Sequence, residues 1–193
     1  MNHIEQDLRQ KIIDTTKTLL DEVEDIEKIT IRQIAKRANV GIGLINYHFK
    51  SKNNLLSIAI GDVMKQTITK FTKNDNYYYM EPVAKLKTLL KELCELVRNN
   101  EKLTHFMMLQ EITQGSMQAP LYIVPLLREI FGEQNNDIQL RIAALQIIQP
   151  IQISGLNTDA FYMYSGIDMT NSEQRNRFID TLIDNLLLNQ KER

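Results

Sequence analysis

A chain of 193 residues, 43% hydrophobic and 24% charged, has enough apolar material for one or two small packed domains. A formal net charge of −1 excludes a general polycation, and the single cysteine, Cys94, excludes an internal disulfide framework and fits a reducing cytosol. No run approaches the apolar length that spans a bilayer, and the start, "MNHIEQDLRQKII", lacks the apolar segment of a secretory signal, so a cytoplasmic protein without a membrane partner is expected.

Only four prolines and seven glycines interrupt the chain, which favours long helices. Residues 4–23 carry Leu8, Ile12, Leu19 and Val23 on one stripe, as an amphipathic helix does. The acidic link "DEVEDIEK" follows. Thr30 is placed to cap a short helix, "IRQIAKRA", whose Ile31, Ile34, Ala35 and Ala38 recur at helical spacing. Asn39, which tolerates a left-handed backbone, ends it. A second short helix is expected over 42–48, then a longer one over 52–71 capped by Ser51, and then a polar, tyrosine-rich loop, "KNDNYYYM". Further helices are expected over 82–98, 101–113 (closing near Gly115), 120–131, 137–153 (with Pro150 kinking or fraying its end) and 172–189. The segment "GLNTDAFYMYSGIDMTN" reads as a loop. The sum is an all-α fold of about nine helices, with no strand.

The spacing at 34–49 is that of a helix-turn-helix: Ile34 and Ala35 on the first helix, Ala38, Asn39 and Val40 in the turn, Ile45 and Phe49 closing a small core. Ala35 is small where the two helices cross. Charge sharpens this. From Lys28 to Gly61 there are six basic residues and no acid, so one cationic region sits on an otherwise acidic chain, the footprint of docking on phosphate.

"TIRQIAKRANVGIGLINYHFKSKNNLL" resembles the DNA-binding domain of the TetR/AcrR family of transcriptional regulators, and the pattern I-A-x-x-A-x-V-x-x-G-x-I-x-Y-H-F-x-S-K-x-x-L covers residues 34–55. The resemblance implies a helix-turn-helix domain over 1–51, a connecting helix over 52–72, and a ligand-binding and dimerising domain over 52–193. It also implies that Tyr47, His48 and Lys52 touch the DNA backbone. The chemistry agrees: a phenol, an imidazole and a first-turn lysine each donate to phosphate oxygen, and a helix N-terminus adds its dipole. Partial burial against Phe49 is the alternative for Tyr47 or His48. Thr30 and Arg32 start the preceding helix within reach of a phosphate or a guanine edge. Gly43 lets the backbone approach closely, Asn46 suits adenine, and Lys50 adds charge. Gly41, Ile42 and Leu44 stand where the family mostly carries polar residues at the exposed start of its recognition helix. They are expected to face bases.

In the C-terminal part, Phe71, Tyr78, Phe106, Met107, Met117, Tyr122 and Phe161 suit an adaptable apolar pocket for a small-molecule effector, and suit an ordinary core equally well. Ile142, Leu145 and Ile148, with Phe178, Ile179, Leu182, Ile183 and Leu186, make two helix faces wide enough to form a four-helix homodimer interface. His3 and His105 lack any accompanying ligand pattern, Cys94 reads as packing, and neither a metal, a cofactor nor an enzyme activity is expected. Two functions remain. One is a homodimeric regulator, a repressor released from a palindromic duplex operator by an effector. The other is a helical ligand-binding or interaction module with degenerate DNA contacts.

Overall fold

The computed structural model describes residues 3–191 apart from 24, 74, 100, 115, 116 and 133–135, so Gly115 lies outside the described residues, as do the side chains of His3 and Phe71. Among the described residues all regular structure is helical, with no strand. Eleven α-helices follow in order: α1 (His3–Glu22), α2 (Ile31–Ala38), α3 (Ile42–Phe49), α4 (Lys52–Thr72), α5 (Asp75–Tyr78), α6 (Pro82–Asn99), α7 (Glu101–Gln114), α8 (Gln118–Phe131), α9 (Asp137–Leu156), α10 (Thr158–Ser165) and α11 (Ser172–Lys191). A 3-10 turn, Ile26–Lys28, lies within the acidic link. The all-α class is as the sequence predicts. The two additional helices fall where loops were expected: α5 is one turn anchored by buried Tyr77, and α10 replaces the middle of the Gly-bounded segment.

The chain divides into two compact units, Met1–Thr69 with Glu101–Gln110, and Lys70–Asn100 with Glu111–Arg193. In the first, Ile12, Ile34, Ile45, Phe49, Leu55 and Leu56 are almost wholly buried, with Phe106 and Met107 packed against the cluster. Most of α4 belongs here because Leu55, Leu56, Ala59 and Ile60 point into this core. Helix α1 ties down its neighbours. Lys17 reaches Asp62 of α4 at 2.6 Å, Arg37 of α2 forks onto Glu22, and the Arg9 guanidinium lies 5.3 Å over the Phe49 ring of α3.

The turn between α2 and α3 is closed by the backbone. Asn39 adopts φ 53, ψ 53, the Val40 N–H donates to the Ala35 carbonyl at 3.0 Å, and the Asn39 N–H donates to Lys36 at 3.3 Å. These two bonds are the Schellman pair that satisfies the last carbonyls of a helix. At the other end of α2, the Thr30 hydroxyl accepts the Gln33 N–H and the Gln33 side chain accepts the Thr30 N–H, a reciprocal capping box.

In the second unit, α6, α8, α9 and α11 surround a core of Leu86, Leu90, Ile123, Leu127, Leu140, Ile147, Ile179 and Ile183. Pro120 does not open α8. The helix starts at Gln118, which puts Pro120 in the first turn, where its missing N–H costs nothing. Pro150 does not end α9 either. Buried Ile151, Gln152 and Ser154 hold the turns beyond it, and the helix continues to Leu156. Burial pushes the Cys94 thiol up to about 11, against the neighbouring Arg175 guanidinium, so it is a neutral packing group.

Two expectations follow. Asn39→Gly should leave stability almost unchanged, whereas Asn39→Val, forced into the left-handed region, should cost about 1–3 kcal/mol in urea unfolding. The raised thiol pKa stabilises the fold fully below the unfolded-state value, and that stability is lost as pH rises through about 11. Between pH 8 and 11 the urea midpoint of the wild type should therefore fall more than that of Cys94→Ala.

Candidate nucleic-acid interface

Helix α3 buries Ile45 and Phe49. At 100° per residue the direction opposite that stripe belongs to Gly43 and Tyr47. Ile42 and Asn46 share one flank, Leu44 and His48 the other. Burial follows this geometry: Tyr47 is 64% and Ile42 41% exposed, Asn46 is exposed, and Leu44 and His48 are half-buried. Leu44 therefore does not present itself beside Ile42 as the sequence suggested; nearly half the helix circumference separates them. Of the two aromatic neighbours of Phe49, His48 is the one partly buried against it, with ring centroids 6.1 Å apart, while Tyr47 stands outward and touches His48 edge-on at 5.1 Å.

The start of α3 is bare backbone. Gly41 is its N-cap with φ −72 and offers no side-chain cap. A Cβ at Gly41 or Gly43 would meet nothing within 4 Å. Neither glycine is needed by the fold of the free protein.

The exit from α3 is built more tightly. Lys50 has φ 65, ψ −43, and the Ser51 N–H donates back to the Phe49 carbonyl at 2.7 Å, closing a γ-turn of the rare kind. The Phe49 carbonyl also accepts the Asn54 side-chain amide at 2.8 Å, and Ser51 caps α4 by accepting the Asn54 N–H at 3.1 Å. The Lys50 ammonium lies 5.7 Å from the Tyr47 ring centroid. Lys52, half-buried, is the first residue of α4, so it sits at the positive end of that helix dipole.

The six basic residues of this region divide. Arg37 is held by Glu22, and Lys28 lies 3.6 Å from Asp25. Arg32, Lys36 and Lys50 are exposed. The Thr30 hydroxyl is engaged with Gln33 in the cap. Gln33 was legible as the fourth residue of T-x-x-Q. Glu22 and Asn54, which position Arg37 and the Phe49–Ser51 turn, had no comparable signal.

The residues proposed for an effector pocket have different surroundings. Phe106 and Met107 pack on the core of the first unit, and Phe161 meets Phe178. Tyr78 lies under the Lys85 ammonium, and Met117 and Tyr122 are surface residues at the start of α8. A polar cluster the sequence did not reveal lies in the second unit: the buried Glu111 carboxylate accepts the Ala119 N–H at the start of α8 (2.6 Å) and the Gln152 amide of α9 (3.0 Å). Among the residues proposed for dimerisation, Ile148, Ile179 and Ile183 are buried at 7%, 0% and 1% exposure, so they serve the protomer's own core and offer no surface to a second copy. Ile142 is 52% exposed, and Leu145, Phe178, Leu182 and Leu186 are half-buried. No group of three or more His, Cys, Asp or Glu among the described residues is placed to hold a metal ion, and no described helix is long and apolar enough to cross a membrane.

A capped helix, a left-handed turn and a second helix with an outward face define a helix-turn-helix protein. Residues 12–57 match the family described as bacterial regulatory proteins, tetR family. The HTH-type transcriptional regulator BetI of Cronobacter sakazakii is 41% identical over 58 residues, 30% of this chain and 28% of that protein. An HTH-type transcriptional regulator of Staphylococcus aureus is 26% identical over 152 residues, 76% of this chain and 78% of that one. The fold is also that of a TetR transcriptional regulator from Rhodococcus sp. RHA1, with a TM-score of 0.70 at 16% identity over 96% of this chain and 98% of that one. Residues 12–57 therefore match the helix-turn-helix region of the tetR family, and the chain as a whole has the fold of a TetR transcriptional regulator.

The open space at Gly43 gives a direct expectation. Gly43→Ala should raise the stability of the free protein by about 0.5–1 kcal/mol, because alanine is the better helix former. If duplex DNA approaches the backbone there, the same change should weaken binding in a fluorescence-anisotropy titration. A gain in both would show that nothing comes close to Gly43.

Proposed function

We propose that this chain is a homodimeric DNA-binding repressor that reads a palindromic operator through α3 and leaves it when a small-molecule effector binds the C-terminal domain. The observation that carries the reading is the outward face of α3, where Gly43, Asn46 and Tyr47 stand clear of a core held by Ile45 and Phe49. In this reading Tyr47, Lys50 and Lys52 supply phosphate contacts, with the first turn of α4 adding its dipole. His48 supplies a further donor from its half-buried position. Thr30 and Arg32 approach from the start of α2. Asn46 makes the bidentate contact to adenine, Ile42 packs on a thymine methyl, and Gly41 and Gly43 keep the backbone near the groove. Leu44 lies on the flank away from Ile42 and contributes less to base reading.

Dimerisation is supported by the apolar side chains Ile142 and Leu145, which face away from the core residues of α9, and by half-buried Phe178, Leu182 and Leu186, which flank the core residues of α11. The two-fold then sets the half-site spacing. The coupling such an effector needs is about 1–3 kcal/mol between ligand and DNA.

Selection from random duplexes tests the whole reading. The expected product is a palindrome rich in A·T at the base-contacting positions. Lys52→Ala should weaken binding about equally on matched and mismatched duplexes and lower the salt slope by roughly one counterion. Asn46→Ala should cost about 1–3 kcal/mol and relax one symmetric pair of positions. Retention at low salt alone, with no consensus, would return the protein to the class of helical modules with degenerate DNA contacts.

A further inference from the structure

Helix α9 is apolar on two faces. Leu140, Ala143, Ala144, Ile147 and Ile151 are buried, and on the opposite side Ile138, Ile142, Leu145, Ile153 and Leu156 form a stripe at helical spacing interrupted only by Gln149. Ile138, Ile142 and Ile153 on that stripe are each more than half exposed. Helix α11 has two unequal flanks. One is fastened to α6 by Lys91–Asp180 and Lys87–Asp184; the other carries Phe178, Leu182 and Leu186 at i, i+4, i+8. Phe178 meets Phe161 of α10 with ring centroids 5.1 Å apart, so α10 is rooted at the head of the apolar flank. Beyond that root, α10 buries none of its residues: Tyr162, Met163 and Tyr164 are 56%, 81% and 90% exposed.

From these observations we infer that α10 is a dimerisation arm, its Tyr162, Met163 and Tyr164 packing on a second copy of this chain. The inference rests on the homodimer reading and adds a contact surface to it. Area supports it. The half-exposed isoleucines of α9 with the half-buried Leu145, Phe178, Leu182 and Leu186 offer only part of the ~800 Å² per partner that a stable interface buries. Two exposed tyrosines and a methionine add several hundred more, at roughly 150–250 Å² for each aromatic side chain. Composition supports it too, since Tyr and Met are enriched in interface cores and this segment has no Lys or Arg with which to meet phosphate. Shape narrows the occupant. Three consecutive helical residues span about 200° of circumference, so no flat surface covers them all. A two-fold mate, which brings its own α10 root and α9 stripe to the same place, does so from two sides.

The test is sedimentation equilibrium of the full chain from nanomolar to micromolar concentration, comparing wild type, the double variant Met163→Ser/Tyr164→Ser and Leu182→Glu, with circular dichroism to confirm that each protomer is folded. The dissociation constant of the double variant should rise by about tenfold or more, and deuterium uptake of residues 158–165 in the wild type should fall as concentration rises. A wild-type dimer whose affinity the double variant leaves unchanged, or whose 158–165 segment exchanges equally at all concentrations, overturns the arm while the homodimer stands. A wild type that is monomeric throughout overturns the homodimer reading, and the arm with it. Binding to phosphatidylcholine vesicles that the double variant abolishes, with dimer affinity intact, would assign the three side chains to a lipid surface and likewise overturn the arm.

Discussion

The left-handed backbone at Asn39 is the constraint on which the interface depends. It turns the chain sharply enough for the Val40 N–H to reach the Ala35 carbonyl, and so sets the angle at which α3 leaves α2. Buried Ala35 and Ala38 leave room for that crossing. Once the angle is set, Ile45 and Phe49 fall into the core and Gly43 and Tyr47 are driven outward, because a helix cannot rotate one face without rotating the other. The Phe49 carbonyl then takes two donors, the Ser51 N–H and the Asn54 amide, and these fix where α4 begins. Lys52 inherits its position from Asn39 through this short series of contacts.

That unit was largely legible because its signals are local. Thr30, Asn39 and Ser51 each act within three to five residues, and a residue type suited to the local backbone is visible in sequence. What escaped was set by distance along the chain. Nothing in the sequence pairs Arg37 with Glu22 or Lys17 with Asp62, so Arg37, counted toward a DNA-facing charge, turns out to be engaged by an acid of α1. The placement of Leu44 was missed for another reason. Gly43 before it is exposed and Ile45 after it is buried, and the helical angle takes Leu44 between them to the flank it shares with half-buried His48.

The second unit was harder to read because α9 is apolar nearly all round and the apolar face of α11 is wider than the part it buries. Periodicity identifies a buried face by contrast with a polar one, and α9 gives little contrast. Ile148, Ile179 and Ile183 were therefore grouped with Ile142 and Leu182, although the first three close the core and the others do not. Helix α10 was hidden by the same lack of pattern. Its Phe161-Tyr162-Met163-Tyr164 run has no alternation or helical repeat, and its flanking turns, with Gly166 at φ 72, read as loop. Phe106 and Met107 suit a pocket or a core equally by composition, and a family resemblance that favours a pocket carries no address for single residues: they pack on the core of the first unit.

A helix with two apolar faces poses a problem of rotational register. Turning α9 by half a turn about its axis would exchange one hydrophobic face for another at small hydrophobic cost. Polar groups break that near-degeneracy. On the inner face the Gln152 amide donates to the Glu111 carboxylate, whose other oxygen accepts the Ala119 N–H in the first turn of α8. Rotation would carry Gln152 away and strand a buried Glu111 carboxylate oxygen, a penalty that apolar packing alone does not impose. The Glu111–Gln152 bond thus works as an index mark, deciding which stripe of α9 becomes interior and which is left for a neighbour.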